Sequence, residues 1–246
     1  DLKTLIAKKM LVHAADALSK HTPDLIFDDL SLLPVIPNPE KIMCVGLNYH
    51  DHVKETGRDL TEKPAIFSRV NSSQVGHGQD IMRPPESHRL DYEGEIAIII
   101  GEGGRRISEA DAWKHIAGYS CYNDGSVRDW QKHSIYAGKN FYQSGSWGPA
   151  ILTKDQLDDP DELRLKTFVN GELRQSCRAK EMVFSVAAQI AYISHLFPLE
   201  AGDVIATGSP DGTGGARNPK AFLRPGDLVE VQVGAQLSLE NRVADA

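Results

Sequence analysis

A mainly β, α+β fold is predicted for this chain of 246 residues, and three observations predict it. The apolar runs are mostly short and stop at glycine or polar residues, as in Ile42–Gly46 and residues 95–100, which suits strands better than helices. Asn170-Gly171 follows the apolar run 165–169 and has the chemistry of a two-residue hairpin turn. Extended helical spacing is confined to residues 2–19 and 184–196, too little for a doubly wound sheet.

In chain order, Leu2, Leu5, Ile6, Leu11, Ala14, Ala15 and Leu18 define an amphipathic helix over 2–19. Pro34, Pro37 and Pro39 then interrupt the chain. Residues 1–36 are therefore expected to be an N-terminal extension or small subdomain, and residues 37–246 the main domain. The chain opens on Asp1 rather than methionine, so a truncated extension is part of that expectation. Ile42–Gly46 reads as a strand, with a short helix starting near Tyr49. The run 96–100 is apolar throughout and reads as buried strand, and the apolar stretch 116–121 places Asp124 at a strand end. Residues 184–196 are apolar on most sides of a helix, which predicts burial. Gly202-Asp203 and Gly226-Asp227 each precede a β-branched run, a repeated turn chemistry rather than an internal repeat. Strands over 229–233 and 237–241 are expected to close a sheet.

Composition narrows the partners. Hydrophobic residues make up 41% and charged residues 25%, the balance of an ordinary soluble domain. The net charge is −7, from 27 basic and 34 acidic residues, which advertises no nucleic-acid surface. No apolar run is long enough to span a bilayer and no signal peptide is visible. Cys44, Cys121 and Cys177 match no zinc spacing; free thiols in a reducing cytoplasm are expected.

Glu93 and Glu95 lie two residues apart at the head of the run 96–100, so both carboxylates project from one strand face. Adjacent like charges repel. Either a divalent cation or a pairing of Glu93 with Arg89 or a lysine answers that repulsion. Asp124 is the best third ligand, and three carboxylates suit Mg²⁺ or Mn²⁺ rather than zinc. His52 and Glu55, three apart, share one face of a short helix. They are either a surface pair of little energetic weight or a general base oriented by a carboxylate. Lys139 is either solvated or placed to receive developing negative charge. The glycine-rich segment 206–215 lacks the ending of a phosphate loop. It is either a plain loop or a site where backbone amides and Thr207 take a carboxylate.

Several motifs follow one another in a specific order. They are Gly46-Leu47-Asn48-Tyr49 with His52 and Glu55; Asp91-Tyr92-Glu93-Gly94-Glu95; and Asn123-Asp124 with Ser126, Arg128, Asp129 and Gln131. Gly138-Lys139-Asn140-Phe141, Val169-Asn170-Gly171-Glu172 and the stretch from Gly202 to Pro210 come after. The ordered set resembles the fumarylacetoacetate hydrolase family in its smaller bacterial form. The resemblance implies a mixed β-sheet roll of the family's C-terminal domain type with flanking helices, a catalytic domain over 37–246, and a homodimer. It implies Mg²⁺ or Mn²⁺ (Ca²⁺ in some members) held by Glu93, Glu95 and Asp124. His52, Glu55 and Lys139 would be catalytic, with Gln131, Arg128, Thr207, Gly208 and Arg69 around the substrate. Phe67-Ser68-Arg69-Val70 departs from the Phe-Leu-Lys-Pro of many relatives, and arginine forks where lysine is a point charge.

The reaction implied is hydrolysis of a carbon–carbon bond in a 2,4-dioxo acid, of the acylpyruvate or fumarylpyruvate type found in the breakdown of aromatic compounds. The alternative is decarboxylation or enol–keto isomerisation of a 2-oxo dicarboxylate such as oxaloacetate or 2-hydroxyhepta-2,4-dienedioate. An inactive metal-binding member is least favoured, because ligand set, dyad and Lys139 are all present.

Overall fold

The computed structural model describes residues 1–246, the side chain of Asp28 excepted. The strands are β1 (Ile42–Gly46), β2 (Ala65–Arg69), β3 (Gln74–Val75), β4 (Ile81–Arg83), β5 (Leu90–Asp91), β6 (Gly94–Ile100) and β7 (Ile116–Asn123). They continue as β8 (Ser126–Val127), β9 (Gly145–Thr153), β10 (Arg164–Val169), β11 (Glu172–Arg178), β12 (Val204–Ala206), β13 (Leu228–Val233) and β14 (Leu237–Asp245). The helices are α1 (Leu2–Ala7), α2 (Leu11–Ser19), α3 (His50–Thr56), α4 (Ile135–Lys139) and α5 (Val186–Leu196). A seven-stranded mixed sheet has the order β2-β1-β12-β6-β7-β9-β3, and a five-stranded sheet the order β11-β10-β13-β14-β4. Strands dominate and helices flank them, as the short apolar runs predict.

β6 sits in the middle of the large sheet and is buried along its whole length. Ile96, Ile98 and Ile100 pack into a core shared with β10, β13, β14 and α5. Ala97 and Ile99 face a second core with Ile42, Cys44 and Trp147. Burial on both faces explains why the run is continuous rather than alternating. Gly94, the first residue of β6, lies against β10: a Cβ there would sit 1.9 Å from Thr167 Oγ1. Gly94→Ala is expected to cost about 1–3 kcal/mol by overpacking, seen as a lowered Tm with circular dichroism unchanged.

Local chemistry accounts for the other elements. Asn170 and Gly171 take φ of 52° and 78°, the left-handed pair that a two-residue hairpin needs, and β10 and β11 pair across them. α5 begins where Ser185 accepts a hydrogen bond from the Ala188 amide, a helix cap. The two Gly-Asp turns are alike. Gly202 and Gly226 have φ of 86° and 92°. Asp203 accepts from the Glu200 amide and Asp227 from the Arg224 amide, each at 2.8 Å.

The N-terminal helix differs from the expectation: it is two helices. Lys9 takes φ of 56°, its amide bonds the Ile6 carbonyl at 2.9 Å, and the Met10 amide bonds the Leu5 carbonyl at 2.8 Å. This is a Schellman end built on lysine instead of glycine, so the sequence carries no stop signal there. α1 buries Ile6 in the core of Ile42 and Trp147, whereas α2 buries no residue.

The topology decides where the functional residues meet. β1 is parallel to β12, and β6 is antiparallel to both β12 and β7. The C-terminal ends of β1, β7 and β12 and the N-terminal end of β6 therefore lie at one end of the sheet. Cys44, Cys121 and Cys177 are buried and unpaired, and among the described residues no helix is long and apolar enough to cross a membrane.

Candidate functional site

The cluster at that end of the sheet is built from two segments. Glu95 comes from β6, Glu93 from the residue before it, and Asp124 from the residue after β7. The Asp124 amide donates to the Glu93 carbonyl at 2.8 Å, and the Glu93 amide donates to Asn123 Oδ1 at 3.1 Å. Backbone pairing thus sets the carboxylates together. One oxygen from each of Glu93, Glu95 and Asp124 lies within 4.8 Å of the others, and all three residues are buried.

Three cations hold this cluster. Lys139 Nζ pairs with Glu93 Oε2, and with Asp124 Oδ2 at 2.5 Å. Arg128 Nη1 pairs with Glu93 Oε1 at 2.6 Å. Arg69 Nη1 donates to Asp124 Oδ1 at 2.8 Å. Burial works against the Lys139 ammonium, but Asp124 and Glu93 outweigh it and lift its pKa above that of an ordinary lysine. Burial would also raise Glu93, yet Arg128 and Lys139 hold its carboxyl far below the usual range.

Glu95 is different. No cation pairs with it directly among the described residues; its Oε2 accepts only the Gly208 amide, at 2.8 Å. Burial, followed by repulsion from Asp124, pushes its carboxyl well above the usual carboxylate range. Three convergent hard oxygen donors, one with no cation of the protein against it among the described residues, are the donor chemistry a divalent cation such as Mg²⁺ or Mn²⁺ needs. The donor set fits the metal that the sequence implies.

A cavity of about 370 Å³ opens onto these carboxylates, within the size range of small-ligand sites. His52, Glu55, Arg128, Gln131 and Lys139 line it. His52 and Glu55 form the expected pair, Nδ1 to Oε1 at 2.8 Å, but not on the surface: His52 is buried. Burial would raise the Glu55 carboxyl; the hydrogen bonds from His52 and the Gly212 amide overcome that and leave it lowered. Gln131 Oε1 accepts from Arg128 at 3.3 Å.

Three expected substrate contacts sit elsewhere. Thr207 Oγ1 donates to the Ile96 carbonyl at 2.9 Å, the Gly208 amide is taken by Glu95, and neither residue lines the cavity. Arg69 is fully enclosed behind Asp124. It also donates to the Gly125 carbonyl at 3.1 Å and to Ser144 Oγ at 2.8 Å. The guanidinium fits because residue 145 is glycine, where a Cβ would lie 2.6 Å from Nη1. Gly208 and Arg69 thus orient the carboxylates of Glu95 and Asp124, and Thr207 holds the backbone of β6. The glycine-rich loop does take carboxylates on its amides, but the protein's own. Gly208 donates to Glu95, Gly212 to Glu55 at 3.0 Å, and Gly214 and Gly215 to Asp91, each at 2.8 Å.

Residues with no strong sequence signal complete the wall. Phe67, Leu47, Ile135 and Phe222 give apolar surface, and Ser209 and Thr213 give hydroxyls. Arg58, Arg89, Lys132 and Lys220 also line the cavity. All four are exposed, and none makes an ion pair among the described residues. Lone surface cations carry no motif; only the fold gathers them.

Fold and site together define a class of protein. Residues 41–244 match the family described as fumarylacetoacetate (FAA) hydrolase C-terminal, and the chain belongs to that family. It is similar to a mitochondrial oxaloacetate tautomerase of Xenopus laevis, 39% identical over 97% of this chain and 76% of the relative. It is also similar to the structure of 2-hydroxyhepta-2,4-diene-1,7-dioate isomerase from Mycobacterium marinum. There the identity is 32% and the TM-score 0.75, covering 87% of this chain and 77% of that one. The maleylpyruvate hydrolase of Sphingobium, solved with manganese(II) and pyruvate, shares 26% identity and a TM-score of 0.84 over 99% of this chain and 85% of its own.

Proposed function

We propose that this protein is a divalent-metal-dependent tautomerase that interconverts the enol and keto forms of a 2-oxo dicarboxylate. This is the isomerase alternative of the sequence reading, preferred here over carbon–carbon hydrolysis. Relatives named as an oxaloacetate tautomerase and a dienedioate isomerase support it. The observation that carries it is the division of charge in the cavity. The lining carboxylates are Glu93, Glu95 and Asp124 of the cluster and Glu55, which pairs with His52, while Arg58, Arg89, Lys132 and Lys220 make no ion pair among the described residues. A substrate anionic at both ends satisfies both regions, whereas an acylpyruvate with an apolar tail leaves the four cations unused; among dicarboxylates, the names of the relatives favour tautomerisation over cleavage.

Glu93, Glu95 and Asp124 would hold the Mg²⁺ or Mn²⁺ ion, which when bound polarises the 2-oxo group and stabilises the enolate. The chain's own residues handle the proton. With His52 Nδ1 directed to Glu55, the ring's Nε2 is the atom available to deliver a proton to the carbon beside the keto group as the enol oxygen gives its own proton up to water, and to take the carbon-bound proton in the reverse direction while water reprotonates the oxygen. Glu55 fixes the ring and stabilises its charged form. Lys139 offers an ammonium to oxygen charge on the substrate. Arg128 and Gln131 hold the substrate's near end, and the four outer cations its distal carboxylate.

The test is ketonisation of enol-oxaloacetate with Mg²⁺ or Mn²⁺, followed by loss of enol absorbance, beside pyruvate release from an acylpyruvate. Faster ketonisation without acylpyruvate cleavage is expected. Acylpyruvate cleavage with ketonisation at the buffer rate would overturn the reading. His52→Ala is expected to lower kcat by about 100-fold or more, since general acid–base groups contribute about 10²–10⁴-fold, with metal affinity unchanged by titration calorimetry.

A further inference from the structure

Asp91 is buried among polar partners and is neither a metal ligand nor a cavity-lining residue. Its Oδ1 accepts from the Tyr92 amide at 3.0 Å and the Gly214 amide at 2.8 Å. Its Oδ2 accepts from the Gly215 amide at 2.8 Å and from Arg128 Nε at 2.7 Å. The loop is shaped for this contact: a Cβ on Gly214 would lie 2.6 Å from Oδ1, and one on Gly215 3.1 Å from Oδ2. The same loop, one residue earlier, supports the acid–base pair. Thr213 Oγ1 donates to Glu55 Oε1 at 3.4 Å and the Gly212 amide to Glu55 Oε2 at 3.0 Å.

α3, which carries His52 and Glu55, has little else to hold it. Only His52 and Val53 are buried in it. It ends at Gly57, with φ of 66°, and the exposed run 58–63 follows. A short helix with one buried turn opens readily, so Glu55's partners fix where His52 stands.

We propose that Asp91 is a positioning residue for the reaction: it locks residues 212–215 beneath Glu55 and so holds the His52–Glu55 pair at its place in the cavity. The inference rests on the acid–base role of that pair set out above. Asp91 also touches Arg128, which pairs with Glu93, so the alternative route runs through the metal carboxylates. The two routes predict different measurements.

The experiment is a double-mutant cycle of Asp91→Asn and Glu55→Gln in ketonisation, with the metal affinity of each variant measured by titration calorimetry. Asp91→Asn is expected to lower kcat about 10- to 100-fold, the range for a supporting partner of a functional group. On the Glu55→Gln background it should cost less than about 3-fold, because coupled residues are not additive, with metal affinity held within about 3-fold. Losses that multiply across the cycle, or a metal affinity that falls in step with kcat, overturn the proposal. A His52→Ala variant of full activity would instead overturn the acid–base reading beneath it. Should Asp91→Asn fail to fold, Gly215→Ala displaces the loop while leaving the carboxylate, and the same non-additivity is expected. Hydrogen exchange gives a readout free of turnover. Asp91→Asn should speed exchange in both 208–216 and α3, and unchanged protection in α3 overturns the coupling.

Discussion

Glu95→Gln is expected to abolish tight metal binding and, with it, activity, while making the metal-free protein more stable. The substitution keeps the shape of the side chain and its contact with the Gly208 amide but removes one of three ligand charges. Divalent-ion affinity should fall at least 100-fold by titration calorimetry, consistent with the dependence of such sites on ligand charge. The stability change has the opposite sign. Burial and Asp124 raise the Glu95 carboxyl in the folded protein, so without metal the folded state holds that proton more tightly than the unfolded chain. The contribution to stability is full below the unfolded pKa of about 4.3 and is lost as pH rises through the folded value. With a chelator present, the Tm of the parent should therefore fall with rising pH above that point more steeply than that of Glu95→Gln. Added Mn²⁺ should raise the parent's Tm and leave the variant's unchanged, since a ligand that binds only the folded state stabilises it. A variant with parental metal affinity would remove the three-carboxylate site from consideration.

Arg69→Met should be the most destabilising single change away from the apolar cores. It leaves Asp124 buried without its Arg69 partner, and leaves the Gly125 carbonyl and Ser144 hydroxyl without theirs. Breaking a buried pair from one side costs about 3–5 kcal/mol, measurable by denaturant unfolding. Arg69→Lys separates charge from geometry. It keeps the cation that Asp124 requires but cannot span Asp124, Ser73 and Ser144 as the fork does. A loss between those of the parent and Arg69→Met is expected, with weaker metal binding because Asp124 is no longer fixed. Arg69→Lys as stable as the parent, with Arg69→Met destabilised, would show that Arg69 contributes charge balance alone; equal stability of all three proteins would show that neither its charge nor its fork supports the fold.

Much of the site is legible along the chain because its first elements are local. Glu93 and Glu95 share a face through the two-residue period of a strand, and His52 and Glu55 through the three-residue spacing of a helix. The Asn170-Gly171 hairpin and the repeated Gly-Asp turns are equally local, since each satisfies its own backbone within a few residues. The break at Lys9 escapes notice because a lysine occupies the left-handed position that glycine usually marks. Arg69 reads as a substrate contact from its motif, yet burial behind Asp124 turns it inward.

The order of residues along the chain is enough to show which have chemistry to offer: three carboxylates at strand ends, an imidazole with its own carboxylate, a lysine, and the family to which they belong. What each of them faces depends on the folded chain. Gly208 meets Glu95 across 113 residues, Gly212 meets Glu55 across 157, and Gly215 meets Asp91 across 124. Four cations with no ion pair among the described residues likewise line one cavity. No local pattern encodes such pairings, because strand order and direction bring distant backbone amides and side chains to one end of the sheet, where buried carboxylates must find donors.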